Sequence, residues 1–152
     1  MPEQQSEIEP YTPSFRRRRR TRLPVVVAVA AGGALGAAIR YEISAHVHVG
    51  PDSFPWSTFW INVSGSFLLG VLLTFVLERW PPTRYARPFL AIGLLGAYTT
   101  FSTYSVETDL LLHDGHVAVG LAYATASLVA GGLAVYLGIA SGRWWPSLRG
   151  RA

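Results

Sequence analysis

Five hydroxyl side chains, Thr99, Thr100, Ser102, Thr103 and Ser105, fall within seven residues of an otherwise apolar run, Phe89 to Leu112. Asn62 places an amide inside a second apolar run, and Tyr123 and Ser127 lie four apart in another, on one face of a helix. Phe101 and Tyr104 are three apart and share a face in the same way. Amide and hydroxyl hydrogens can stand in for lost water, and aromatic ring edges carry the positive end of the ring quadrupole. Such a set suits a small, strongly hydrated anion. A buried arginine would hold that ion and slow its exit, whereas conduction needs weak serial sites. A cation path would want carboxylates, and none is placed at the middle of an apolar run. The residues narrow the ligand class without naming the ion.

These groups need elements that hold them at depth. The chain has 152 residues, no cysteine, 50% apolar residues and only 14% charged ones. Disulfides, thiolate metal sites and thiol catalysis are therefore excluded. All 13 basic residues are arginine. A basic balance of this kind raises a nucleic-acid partner, but the arginines flank apolar runs, where setting membrane orientation is the simpler account.

Residues 1–22 read as a disordered tail ending in the basic block Arg16–Arg20 and Arg22. A basic block before an apolar run also fits a signal-peptide n-region; the three later apolar runs favour a retained first helix. Residues 23–140 read as a four-helix transmembrane domain, with spans at about 23–45, 55–77, 88–112 and 117–140, and residues 141–152 as a basic tail. Each span exceeds the ~20 residues that cross a bilayer core of roughly 30 Å. Gly32 and Gly36 form a small-residue pair in the first span, and Gly65, Ser66 and Gly70 a second small face. The fold expected is all-α, with the third span broken near its middle. Polar backbone at membrane depth is tolerated only where protein buries it or a watery cavity meets it. The alternative is a helix–helix seam whose hydroxyls bond back to their own helix.

Four spans put both termini and the Glu78–Arg87 loop on one side, with twelve arginines against Arg40 alone on the other. The positive-inside rule then places both termini in the cytoplasm of a multi-pass protein of the cell membrane.

The stretches GGALGAAIRY (32–41), WSTFWINVSGSFLLG (56–70) and GLLGAYTTFSTYSVET (93–108) resemble the Fluc (CrcB) family of fluoride channels. The resemblance implies an antiparallel dimer with two pores, passive fluoride export and no enzymatic step. It implies a structural Na+ ion at the dimer centre, held by backbone carbonyls that match Gly96 and Thr99. By the same resemblance Asn62 matches the pore amide, and Phe101 the first ring of a pore phenylalanine pair. Tyr123 and Ser127 match a polar track, Arg40 the arginine ending the first helix, and Glu107 the carboxylate after the break. Ser102 and Thr103 complete the expected fluoride pathway.

Two departures stand out. Tyr104 occupies the second ring position, where the family pattern has phenylalanine. The arginine bias is also too strong for a chain that inserts both ways, so the expected partner is an oppositely oriented paralogue, with self-pairing the alternative. Bland readings remain for each residue. Asn62 could bond a neighbouring helix, Tyr123 and Ser127 could be packing groups, and Glu107 near its helix end could be solvated or paired with arginine. Arg40 could snorkel to the interface. His46, His48, His113 and His116 are loop histidines, more simply solvated than metal-binding. A proton-coupled exporter, which needs an acid at depth that the first span lacks before Arg40, and a purely structural membrane protein are the rival functions.

Overall fold

The structure is a computed structural model that describes residues 22–47, 50, 52–76 and 84–144. The expected N-terminal tail up to Arg20, the tail beyond Trp144, and His48 lie outside the described residues. The described chain is helical, and four of its helical segments are long and apolar enough to cross a membrane.

Helix α1 runs Leu23–His46, with Pro24 in its first turn, where the missing N–H costs nothing. Helix α2 runs Trp56–Thr74 and follows Pro55. The third span has three parts: a π-helical segment Pro88–Leu95, a single turn α3 (Gly96–Tyr98), and α4 (Phe101–His113). The π-helical start was not expected from the sequence. Helix α5 runs Val117–Trp144.

The turn between α4 and α5 follows from one glycine. Gly115 has φ +88°, which favours a residue without Cβ. Its N–H donates to the Leu112 carbonyl and that of His116 to the Leu111 carbonyl. That double closure is the Schellman arrangement, and it satisfies carbonyls the ended helix would leave free.

Glycines set the helix pairing. Gly32, Gly36 and Gly93 bring α1 onto the π segment so closely that a Cβ at Gly93 would come within 2.5 Å of the Val29 carbonyl oxygen. Gly70 and Gly138 do the same for α2 and α5, where a Cβ on Gly70 would sit 3.1 Å from the Ile139 nitrogen. Close backbone approach is the main source of helix association where lipid removes the hydrophobic drive. The buried interior is small: Ile61, Leu95 and Tyr98 form one cluster, and Tyr123 is wholly buried. Leu35, Leu128, Leu133 and Leu137 are among many exposed large apolar side chains. For a chain with four spanning helices, hydrocarbon is the solvent that makes this outward face stable.

Candidate functional site

The third span is interrupted at Thr99 and Thr100, both extended, with ψ 156° and 118°. Asn62 on α2 faces that interruption and makes two hydrogen bonds to one residue, Thr100. Its Nδ2 donates to the Thr100 carbonyl at 3.0 Å, and its Oδ1 accepts the Thr100 N–H at 2.9 Å. The Thr100 hydroxyl accepts the Thr103 N–H at 3.1 Å, capping α4, and also donates to the Thr103 hydroxyl at 2.9 Å. Ser102 lies 3.2 Å from the same hydroxyl. The hydroxyl run thus divides its labour. Thr99, Ser105 and Thr108 bond back to the carbonyls of Leu95, Phe101 and Tyr104, four residues before each. Thr100 and Thr103 organise the new helix start.

A cleft of about 420 Å³ opens beside the break. Asn62, Thr99, Thr100, Phe101, Tyr104 and Ser127 supply its polar and aromatic edge, with Gly96 on the same wall and glycine and leucine residues around it. Among the described residues no Asp, Glu, Lys, Arg or His lines it. The Phe101 and Tyr104 rings lie 5.6 Å apart, tilted by 38°. Phe101 is strongly exposed. The Tyr104 hydroxyl donates to the Ala124 carbonyl of α5 at 3.2 Å, so the extra oxygen of this position has a partner within the chain. Ser127 Oγ is buried and, among the described residues, makes no hydrogen bond. A buried hydroxyl left in that state is a standing request for a ligand or water.

Tyr123 and Glu107 meet each other rather than the cleft. Tyr123 does not line the cleft: it is wholly buried, and its hydroxyl donates to Glu107 Oε2 at 2.7 Å. Glu107 is not at a solvated helix end. It lies six residues before His113, the last residue of α4, and its other oxygen accepts from Thr58 at 2.8 Å. Sequence reading did not single out Thr58, although it lies four residues before Asn62 and therefore on the same face of α2. The Phe54 ring meets Tyr123 edge-on, 5.2 Å between centroids. Arg40, near the end of α1, is partly exposed.

Among the described residues the histidines do not gather. His116 Nε2 lies 3.1 Å from Asp52, His46 beside Glu42, and His113 beside Asp114. Among the described residues no three His, Cys, Asp or Glu side chains come together as a metal site.

A four-span helical membrane protein with an interrupted third span and an uncharged polar cleft at the interruption is the class this geometry defines. Residues 27–139 match the model of the family described as CrcB-like protein, Camphor Resistance (CrcB). The chain belongs to that family. It is 52% identical over 126 residues to the fluoride-specific ion channel FluC 3 of Streptomyces avermitilis, a match covering 83% of this chain and 62% of that protein's length. It is 43% identical to the fluoride-specific ion channel FluC 2 of Nocardia farcinica, covering 79% of this chain and 86% of the relative. Identity to the fluoride-specific ion channel FluC 1 of Mycobacterium bovis is 47%, covering 74% and 85%.

Proposed function

We propose that this chain is a fluoride-selective channel of the cell membrane that lowers cytoplasmic fluoride by passive efflux. The observation that carries the reading is the cleft at the break. Asn62, Phe101, Tyr104 and Ser127 converge on it from three spans, with a buried unpartnered hydroxyl and no ionised lining residue. Such a wall offers a small hydrated anion several weak contacts and no tight one. Relatives named as fluoride-specific channels identify fluoride as the permeant to test first. Ser102 and Thr103, at the start of α4 and within reach of the Thr100 hydroxyl, are read as part of the same pathway. The membrane potential drives the anion outward, so no chemical step is required and the chain is read as a channel, not an enzyme.

The working unit is read as an antiparallel dimer in lipid, formed with a second copy or with an oppositely oriented paralogue. The cleft is open on one side in the single chain, which supports a second subunit completing the pathway. Both termini are read as cytoplasmic from the arginine distribution. A structural Na+ is assigned to the Gly96 and Thr99 carbonyls. The chain's donor set fits it: these are uncharged backbone oxygens at a helix interruption, and hard oxygen ligands suit an alkali cation. When bound, Na+ would supply fixed positive charge at the Gly96 and Thr99 carbonyls, while Asn62, Phe101, Tyr104 and Ser127 would offer contacts to the anion.

The test is fluoride efflux from liposomes holding the purified chain, followed with a fluoride electrode and a chloride control. Rapid efflux without chloride leak is expected, from the chain alone or with its paralogue. Silence from both preparations would overturn the channel reading in favour of a structural membrane protein.

A further inference from the structure

Resting on the assignment of Na+ to the third-span carbonyls, we propose that the side chains of Asn62 and Thr100 build that cation site by capturing the two amide N–H groups that would otherwise occupy it. In a continuous helix each carbonyl accepts from the N–H four residues on. For Gly96 that donor is Thr100 N–H, and for Thr99 it is Thr103 N–H. Thr100 N–H is given to Asn62 Oδ1 at 2.9 Å, and Thr103 N–H to the Thr100 hydroxyl at 3.1 Å. The carbonyls one residue and four residues before Thr100 are those that lose their helical donors to side chains. The extended backbone of Thr99, ψ 156°, then turns its carbonyl off the helix axis.

This arrangement needs more than a helix end. Thr99 N–H still donates to the Leu95 carbonyl at 3.1 Å, so the ladder is intact up to the residue before Gly96. It stops where Asn62 intervenes. Asn62 also donates to the Thr100 carbonyl at 3.0 Å, which fixes the amide's orientation and keeps Oδ1 aimed at the N–H. Gly96, Thr99 and Thr100 all line the open cleft with Asn62, so the residues that carry the released oxygens lie on the face that a second subunit would cover. Asn62 and Thr100 are positioning residues for the cation: neither side chain needs to touch it.

Two pairs of substitutions separate this role from general damage. Asn62→Asp, as the neutral acid that an uncharged membrane-depth site favours, keeps an oxygen to accept Thr100 N–H and an O–H to donate to the Thr100 carbonyl, whereas Asn62→Ala keeps neither. Thr100→Ser keeps the capping hydroxyl, whereas Thr100→Val keeps only the shape. The readout is the Na+ dependence of the melting temperature of the assembled channel in detergent, with N-methylglucamine as the replacement cation. The Gly96 carbonyl chemical shift in selectively labelled protein is read beside it. The expected result is that N62A and T100V each weaken apparent Na+ affinity at least tenfold, while N62D and T100S stay within about threefold of the parent. In N62A the Gly96 carbonyl shift should also move to a hydrogen-bonded helical value. An unchanged Na+ response in N62A, or equal loss in N62A and N62D, would overturn the proposal. If N62A does not fold, the T100V and T100S pair decides in the same way. Absence of any Na+ response in the parent protein would overturn it too, at the level of the cation assignment, while fluoride efflux would show whether the channel reading stands.

Discussion

Tyr123 and Glu107 are joined across two helices by a 2.7 Å hydrogen bond inside the membrane-spanning region, with the tyrosine wholly out of solvent. Thr58 holds the other carboxylate oxygen at 2.8 Å. One acid therefore ties α2, α4 and α5 together. Tyr123→Phe and Thr58→Val each remove one donor and leave a carboxylate oxygen without its partner. Each should cost about 1–3 kcal/mol. Because both act on one acceptor, the double variant should depart from the sum of the singles by about 0.5 kcal/mol or more. Denaturant titration of the purified protein in mixed micelles reads all three. Strict additivity would show that the two oxygens act independently.

The glycine contacts predict a contrast between neighbours. A methyl on Gly36 would strike the Leu94 carbonyl and come within 3.1 Å of the Tyr98 nitrogen, and backbone cannot rotate away. On Gly33 the nearest atom would be the Gly93 carbonyl oxygen at 4.0 Å, an ordinary contact. Gly36→Ala should destabilise by about 1–3 kcal/mol, and Gly33→Ala should stay within about 0.5 kcal/mol of the parent. Thermal melts in detergent distinguish them.

At the cleft, Tyr104→Phe tests the departure from the family's ring pair. The tyrosine hydroxyl donates to the Ala124 carbonyl, which in α5 also serves the helix ladder, so its loss leaves no acceptor wholly unpaired. Stability should fall by about 1 kcal/mol or less. Fluoride efflux should stay within about threefold of the parent, since the ring that borders the cleft is retained. A loss of a hundredfold would place the hydroxyl itself among the groups the anion needs.

The arginine distribution predicts one insertion direction. A C-terminal fluorescent fusion should light up and a C-terminal alkaline phosphatase fusion should stay inactive in the same host. Comparable signal from both reporters would mean that the chain inserts in two orientations and can pair with itself.

Much of this was legible in the residues. The four apolar runs, the Gly32/Gly36 pair, the small face at Gly65, Ser66 and Gly70, and the hydroxyl cluster are strong signals, because a bilayer allows few alternatives to an unbroken helix. Asn62, Phe101, Tyr104 and Ser127 were named from sequence and lie along one cleft. Tyr123 was not separable from them: Tyr123 and Ser127 share a helix face, but only packing decides that one meets Glu107 and the other the cleft. Thr58 carried a signal in its spacing from Asn62, masked by the many threonines and serines that merely bond their own helix. The π segment Pro88–Leu95 has no such signature. It arises where α1 presses its glycines against the third span, and tertiary contact leaves no local mark in the residues that yield to it.

The break at Thr99–Thr100 has a mechanical consequence. Before it, the third span is packed on α1; after it, α4 is bound to α5 and α2 through Glu107. The molecule is built as two leaves between which the chain passes three times, and the Ile61–Leu95–Tyr98 cluster and the Ser64–Tyr98 hydrogen bond are rivets across the seam. Because each passage ties one leaf to the other, neither leaf can leave the bilayer without drawing on its neighbour, and the two should come apart in one step rather than in two.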